Sequence, residues 1–161
     1  VFKGTTDPVM AGLSNRMVYK NFSLDFHFNA MFNRKMADPN GYINNILAYG
    51  GNSSRKFLDR WTLDNQDAPY PAFAQTIYGT YGTGTFYWQN AWFVRLRNLT
   101  PGYSLPQNLV RSFASDLRIF VDAQNLFVIA PYDGIDPETD FKRAAYPNVR
   151  TYTLGVNVTF K

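Results

Sequence analysis

Residues with reactive side chains are few and widely spaced in this 161-residue chain. There is no cysteine, so thiol nucleophiles, thiolate metal sites and disulfides are excluded. His27 is the single histidine, and Asp25 is the acidic residue that shares its side of an alternating strand. A nucleophilic triad or a metal centre needs further groups of this kind. The sequence therefore predicts neither a catalytic centre nor a bound cofactor.

Carboxylates are most concentrated in residues 133–140. Calcium takes six to eight oxygen ligands, but the spacing here differs from that of an EF-hand. Gly134 and Pro137 favour a turn instead, and we treat the metal site as the weaker alternative. The weak metal candidates are Asp133, Asp136, Glu138 and Asp140.

Aromatic residues make up 17% of the chain, and several lie in or beside segments rich in Gly, Asn and Pro. Rings exposed in such loops stack on sugar rings or contact a partner protein, although loop packing is the usual role of any one ring. The candidate contact residues are Trp61, Tyr70, Tyr78, Tyr81, Tyr87 and Tyr132.

The elements that position these residues are predicted by a two-residue alternation of apolar and polar side chains. Strands are expected at approximately 9–19, 21–32, 88–105, 117–129 and 150–160. Phe120 breaks the alternation of its strand. The apolar phase changes within 88–105, which predicts a β-bulge between Arg97 and Pro101.

The connections between these strands alternate between short and long. The expected long loops are residues 33–86 and 130–149. Transmembrane barrels have short periplasmic turns and long external loops, so an up-and-down antiparallel meander with two different ends fits this architecture.

Alternation alone does not say whether the apolar face meets lipid or a second sheet. No run of 18 apolar residues exists, which excludes a transmembrane helix. The net charge of +4 is scattered, which argues against nucleic-acid binding. Long strands with aromatic ends favour a barrel in lipid, and the alternative is a soluble β-sandwich that binds carbohydrate. A soluble module folds in plain buffer, whereas barrel strands need detergent and further strands to close the barrel.

Several segments, in order along most of the chain, resemble the SusC/RagA family of TonB-linked outer-membrane proteins of Bacteroidetes. The segments are 18–24 (VYKNFSL), 59–62 (DRWT), 88–106 (WQNAWFVRLRNLTPGYSLP), 117–127 (LRIFVDAQNLF), 134–138 (GIDPE) and 146–155 (YPNVRTYTLG). Lys161 is a departure, because many members of the family end at the terminal Phe.

The resemblance implies that residues 1–161 are the C-terminal part of a transmembrane β-barrel, the last five strands of about 22. It implies a multi-pass protein of the bacterial outer membrane that imports glycans or peptides, and no enzyme. The implied partners are outer-membrane lipid, a SusD-like surface lipoprotein that forms a lid, and TonB through an N-terminal part. The last strand also resembles the β-signal of outer-membrane assembly, formed here by Thr153, Gly155, Val158 and Phe160.

Overall fold

The computed structural model describes residues 7–37, 55–70, 72, 88–139 and 146–161. The chain forms two compact units. The first, called here the sheet unit, consists of Asp7–Arg34, Trp92–Pro131 and Asn148–Lys161. The second, the loop unit, consists of Val1–Thr6, Lys35–Ala91 and Tyr132–Pro147. No helix within the described ranges is both long and apolar enough to span a membrane.

Seven strands are found in the described ranges, and five of them form the sheet unit. In chain order the strands are β1 (Val9–Tyr19), β2 (Phe22–Phe32), β3 (Lys35–Ala37), β4 (Trp88–Asn90), β5 (Phe93–Ser104), β6 (Ala114–Ile129) and β7 (Thr151–Phe160). The sheet unit has the order β1-β2-β5-β6-β7, and every pair in it is antiparallel. This arrangement confirms the predicted all-β antiparallel meander.

The two ends of the large sheet differ in their connections. At one end, called here the short-turn end, residues 20–21 join β1 to β2, and residues 105–113 join β5 to β6 through a one-turn helix (Gln107–Val110). At the other end, residues 33–92 lie between β2 and β5, and residues 130–150 lie between β6 and β7. Lys20 adopts a positive φ of 53°, which allows the tight turn that reverses the chain.

The loop unit contains short elements inside the segment that we expected to be an irregular loop. β3 pairs with β4 in a two-stranded antiparallel sheet. A 3-10 helix, Arg55–Asp59, lies between them in the chain. The predicted single strand over 88–105 is therefore wrong in its first part, because Trp88–Asn90 pairs with Lys35–Ala37 and only Phe93–Ser104 joins the large sheet.

Strand β5 begins where its partners in the large sheet end. Met31 is the last residue of β2 that pairs with β5, opposite Phe93, and Ile129 ends β6 opposite Val94. β6 begins at Ala114, earlier than predicted, because a register irregularity between Ala114 and Asp116 masks its alternation in the sequence.

The predicted bulge lies at Arg97, at the first position of the expected window. The register of β2 against β5 shifts at this residue, and so does the register of β5 against β6. On β6, Asn125 lies at the irregularity and has a positive φ of 53°. Asn tolerates this left-handed conformation well. The association of Pro101 with the bulge is wrong, because Pro101 pairs regularly with Leu24 of β2. Thr100 and Pro101 have no paired residues on β6, so the missing N–H of Pro101 removes no hydrogen bond between β5 and β6.

One face of the large sheet is almost entirely apolar. Directly opposed residues of antiparallel strands share a face, so the register assigns every side chain to one side. The apolar face comprises Val9, Ala11, Leu13, Asn15, Met17 and Tyr19 of β1, the even positions 22–32 of β2, Val94, Leu96, Leu99, Pro101 and Tyr103 of β5, Leu117, Ile119, Val121, Ala123, Phe127 and Ile129 of β6, and the even positions 152–160 of β7. Asn15 is the one polar side chain in this set.

Many side chains of the apolar face are solvent-exposed in the described structure. Leu154 is 73% exposed, Val9 59% and Leu13 58%. Side chains packed between two sheets would be shielded, so this exposure favours strands in lipid over the alternative of a soluble β-sandwich. An apolar face that remains exposed along a whole sheet is typical of strands that contact lipid.

Phe120 breaks the sequence alternation because it lies on the opposite face, where it packs on a glycine. It is directly opposite Gly155 of β7. A Cβ atom on Gly155 would lie 2.3 Å from Cζ of the Phe120 ring. The absence of a side chain at Gly155 therefore leaves the space that the ring occupies.

We predict that Gly155→Ala destabilises the folded protein by about 1–3 kcal/mol, since the added methyl group overlaps the ring. Phe120→Ala removes that overlap, so the double variant loses less than the sum of the two single variants. Urea unfolding of the full-length protein, followed by gel mobility, measures these differences. Gly12→Ala is the matched control, because its Cβ would meet only ordinary contacts at 3.8 Å. Equal losses at Gly12 and Gly155 would contradict the packing argument.

Candidate functional site

The second face of the large sheet carries polar and charged side chains and is called here the polar face. Its members come from every strand of the sheet unit. They include Ser14, Arg16, Ser23, Asp25, His27, Asn98, Thr100, Arg118, Asp122, Gln124, Thr151 and Thr153. This face is the candidate functional site, since it offers hydrogen bonds and charge over the full width of the sheet.

Asp25 of β2 lies between two arginines. Its Oδ1 is 3.5 Å from Nε of Arg16 on β1, and its Oδ2 is 3.4 Å from Nη2 of Arg118 on β6. The same Nη2 donates a hydrogen bond to Oγ of Ser23 at 2.9 Å. The side chain of Arg16 is 64% exposed and that of Arg118 only 21%. Solvent therefore screens the first pair more strongly than the second.

Arg118 reaches Asp25 by crossing strand β5 above Gly102. β5 lies between β2 and β6 in the sheet. A Cβ atom on Gly102 would lie 2.6 Å from Nε of Arg118 and 2.8 Å from Oγ of Ser23. Any larger residue would block this path. The glycine therefore allows two strands that do not pair directly to be joined by an ion pair.

Asp122 of β6 is held by neutral donors. Thr100 Oγ1 donates to its Oδ1 at 2.6 Å and Asn98 Nδ2 donates at 2.8 Å. Gln124 Nε2 donates to the other oxygen at 2.9 Å. An ionised carboxylate can only accept hydrogen bonds, and here each of its two oxygens accepts at least one. This second cluster ties β5 to β6 on the polar face.

His27 lies beside the Asp25 cluster and bonds to a serine. Its Nδ1 is 2.7 Å from Oγ of Ser14, which lies directly opposite on β1. A shallow depression of about 280 Å³ is lined here by Ser14, Asn15, Arg16, Asp25, Phe26, His27 and Asn98. No group of three His, Cys, Asp or Glu side chains that could hold a metal is found among the described residues. The site can bind polar groups and ions, but nothing in it resembles a catalytic triad.

Two of the predicted contact aromatics are brought together in the loop unit. The backbone N–H of Trp61 donates to the carbonyl of Tyr70 at 2.7 Å. The turn between them is closed by Thr62 and Asn65, and Asn65 Nδ2 donates to Oδ1 of Asp59 at 3.0 Å. Trp61 is 40% exposed and Tyr70 is half-buried. Tyr78, Tyr81 and Tyr87 lie outside the described residues.

Tyr132 and the acidic segment after it are organised as a packed turn. Tyr132 is only 8% exposed, and a Cβ on Gly134 would lie 2.2 Å from its ring. Asp136 is 4% exposed, and its Oδ1 accepts the backbone N–H of Glu138 at 2.9 Å. These contacts favour loop packing for Tyr132 and a turn for the carboxylates. Asp133 donates its N–H to Gln89 Oε1 at 3.2 Å, and Asp140 lies outside the described residues.

The pairing of Arg118 with Asp25 was not predicted from the sequence, and neither was the role of Gly102. Alternation placed both charged residues on polar sides of their strands, but it does not show which strands are neighbours. The available signal was a glycine at a polar-face position of the strand between them.

We predict that Asp25 couples more strongly to Arg118 than to Arg16. In double-mutant cycles with Asp25→Asn, the coupling to Arg118→Met should be about 1 kcal/mol or more, and the coupling to Arg16→Met about 0.5 kcal/mol or less, because exposed pairs are screened. Urea unfolding of the full-length protein provides the measurement. Gly102→Ala should remove most of the Arg118 coupling. A stronger coupling to Arg16 would contradict the geometry.

Comparisons with known proteins were made for the whole chain. No protein-family model matches it. TonB-dependent receptor P3 of Formosa agariphila is 29% identical over 166 residues, which cover 92% of this chain and 16% of the relative. TonB-dependent receptor SusC of Bacteroides thetaiotaomicron is 29% identical over 165 residues, covering 99% of this chain and 16% of the relative. The chain therefore spans about one sixth of the length of these curated relatives.

Solved structures of the RagAB peptide importer contain a segment with the same fold as this chain. The closed-closed state matches with a TM-score of 0.80 and 28% identity, over 98% of this chain and 18% of the importer chain. The open-open state matches with a TM-score of 0.79 and the same identity and coverage. The chain is therefore similar to TonB-dependent receptors of the SusC/RagA type over about one sixth of their length, and with its apolar and polar faces it is a β-barrel segment of the bacterial outer membrane.

Proposed function

We propose that this chain forms wall and external loops of a TonB-dependent importer that takes up glycans or peptides with the help of a SusD-like surface lipoprotein. The observation that carries the proposal is the structural match to the RagAB peptide importer, which extends over 98% of the chain. Contact with TonB is assigned to another part of the full-length protein, since the chain corresponds to about one sixth of its relatives.

The wall role is supported by the different chemistry of the two faces. The apolar face turns to the acyl chains, and the polar face turns to the interior of the barrel, where water and a passing substrate need polar contacts. The Asp25 and Asp122 clusters satisfy their own charges within the sheet, which favours a wall that keeps its shape.

The loop role is supported by exposed apolar side chains in the loop unit. Leu58 is 77% exposed, Leu63 79% and Trp61 40%. Exposed aromatic and aliphatic groups of this kind are typical of a protein contact or a sugar-stacking surface. We assign Trp61 and Tyr70, together with Tyr78, Tyr81 and Tyr87, to contacts with the substrate or the lid.

The assembly role of the last strand is a further part of the proposal. Thr153, Gly155, Val158 and Phe160 lie in β7, an edge of the large sheet in the described structure. Phe160 is 72% exposed on the apolar face. An edge strand with a regular apolar side suits capture by strand addition during assembly.

We predict energised uptake by cells that carry the full-length protein. The cells are given fluorescent oligosaccharides or peptides, and accumulation of one class should stop when the proton-motive force is collapsed. Trp61→Ala should reduce uptake about fivefold or more if the ring is a central contact. Tyr146→Ala is the matched control, since Tyr146 is an 84% exposed aromatic of the loop unit that is not among the candidates.

Two outcomes would contradict this proposal. Accumulation of neither class, or accumulation that survives loss of the proton-motive force, would exclude energised import. Equal loss in the Trp61 and Tyr146 variants would leave import intact but remove the specific role of Trp61.

A further inference from the structure

The short-turn end of the large sheet carries a row of aromatic rings on the apolar face. Tyr19 ends β1, Phe22 begins β2, Tyr103 lies one residue before the end of β5, and Phe160 ends β7. The rings of Phe22 and Tyr103 are 4.8 Å apart between centroids, at an angle of 54°. Tyr19 and Phe160 are each 72% exposed and Phe22 is 63% exposed. Rings at this position belong to the interface between acyl chains and headgroups.

A lysine stands at the edge of this aromatic row. Lys20 occupies the β1–β2 turn, and its Nζ lies 5.5 Å from the centroid of the Tyr19 ring. Within the described structure its ammonium group has no hydrogen bond and no ion pair. Such a contact holds the cation at the level of the ring while its three N–H donors stay available.

The electrostatic surroundings of Lys20 favour an anion. The short-turn end, together with the adjoining residues 114–116 and Lys161, contains Lys20, Arg111 and Lys161 but only one acidic residue, Asp116. Lys161 is already engaged, because its Nζ donates to the backbone carbonyl of Arg111. Among the described residues, Lys20 is therefore the basic side chain of this end that lies beside the aromatic row and has no hydrogen-bond or ion-pair partner in the protein.

We propose that Lys20, with the ring of Tyr19 and the Phe22–Tyr103 pair, binds the headgroup phosphate of an anionic phospholipid of phosphatidylglycerol type. The ammonium group contacts the phosphate, and the rings lie along the upper part of the acyl chains. The periplasmic leaflet supplies the lipid, because short barrel turns face the periplasm. The inference rests on the barrel lying in the outer membrane and does not depend on what the protein imports.

The test is a lipid-retention measurement on the purified full-length protein. The protein in detergent is mixed with equal amounts of phosphatidylglycerol and phosphatidylcholine of identical acyl chains, and native mass spectrometry counts the retained lipids. We expect the wild type to retain phosphatidylglycerol preferentially and Lys20→Gln to weaken that preference about fivefold, the effect of one basic residue near an anionic lipid. Lys20→Arg should preserve the preference, since it keeps the charge.

Lys161→Gln is the matched control at the same end of the sheet, and it should leave the preference unchanged because Lys161 already bonds to Arg111. The proposal is overturned if the wild type shows no preference for phosphatidylglycerol, or if Lys20→Gln retains it fully. It is also overturned if Lys20→Gln and Lys161→Gln lower it equally, which would indicate diffuse surface charge. Retention by purified protein requires no import, so failure here leaves the uptake proposal untouched.

Discussion

A strand in hydrocarbon must pair its backbone groups with neighbouring strands and turn apolar side chains to the lipid, because no water is present to satisfy what remains. The large sheet of this chain is organised around that constraint. Five consecutive strands pair in antiparallel order, and one polar residue, Asn15, lies among the side chains of the apolar face. β1 and β7 are the two edges of the sheet in the described structure, and in a barrel further strands pair with them.

The same constraint moves all charge and most hydrogen-bonding side chains to the polar face, where they must find partners. Two glycines make this possible. Gly102 lets Arg118 cross one strand and reach Asp25, and Gly155 gives the Phe120 ring a place on an otherwise polar surface. Glycine normally weakens a strand, but a close approach of a neighbouring side chain compensates for that loss. The polar face is therefore joined across β2, β5, β6 and β7 by contacts that the lipid side does not provide.

Alternation and loop lengths were enough to predict the five strands of the large sheet, their order and its two different ends, since these depend on local pattern alone. The side assignment of Phe22 to Phe32 follows from the two-residue period. Features that depend on neighbouring strands were not predictable in this way. The predicted strand over 88–105 is interrupted at Ala91 because the strands that pair with β5 end there. β6 begins as early as Ala114, through an irregular register with β7. The Arg118–Asp25 pair joins residues 93 positions apart, which no local pattern reports.

The central claim, that the apolar face contacts lipid, is most directly tested by spin labels placed one at a time along β7, from Thr151 to Phe160, in the full-length protein in bilayers. The 161 residues contain no cysteine, so each introduced cysteine is the single labelling site within them. The account predicts high accessibility to oxygen and low accessibility to a polar nickel reagent at positions 152, 154, 156 and 158, with the opposite at 153 and 157; Gly155 is left unlabelled because a side chain there overlaps the Phe120 ring. A reversed phase, or no alternation along the strand, would contradict it.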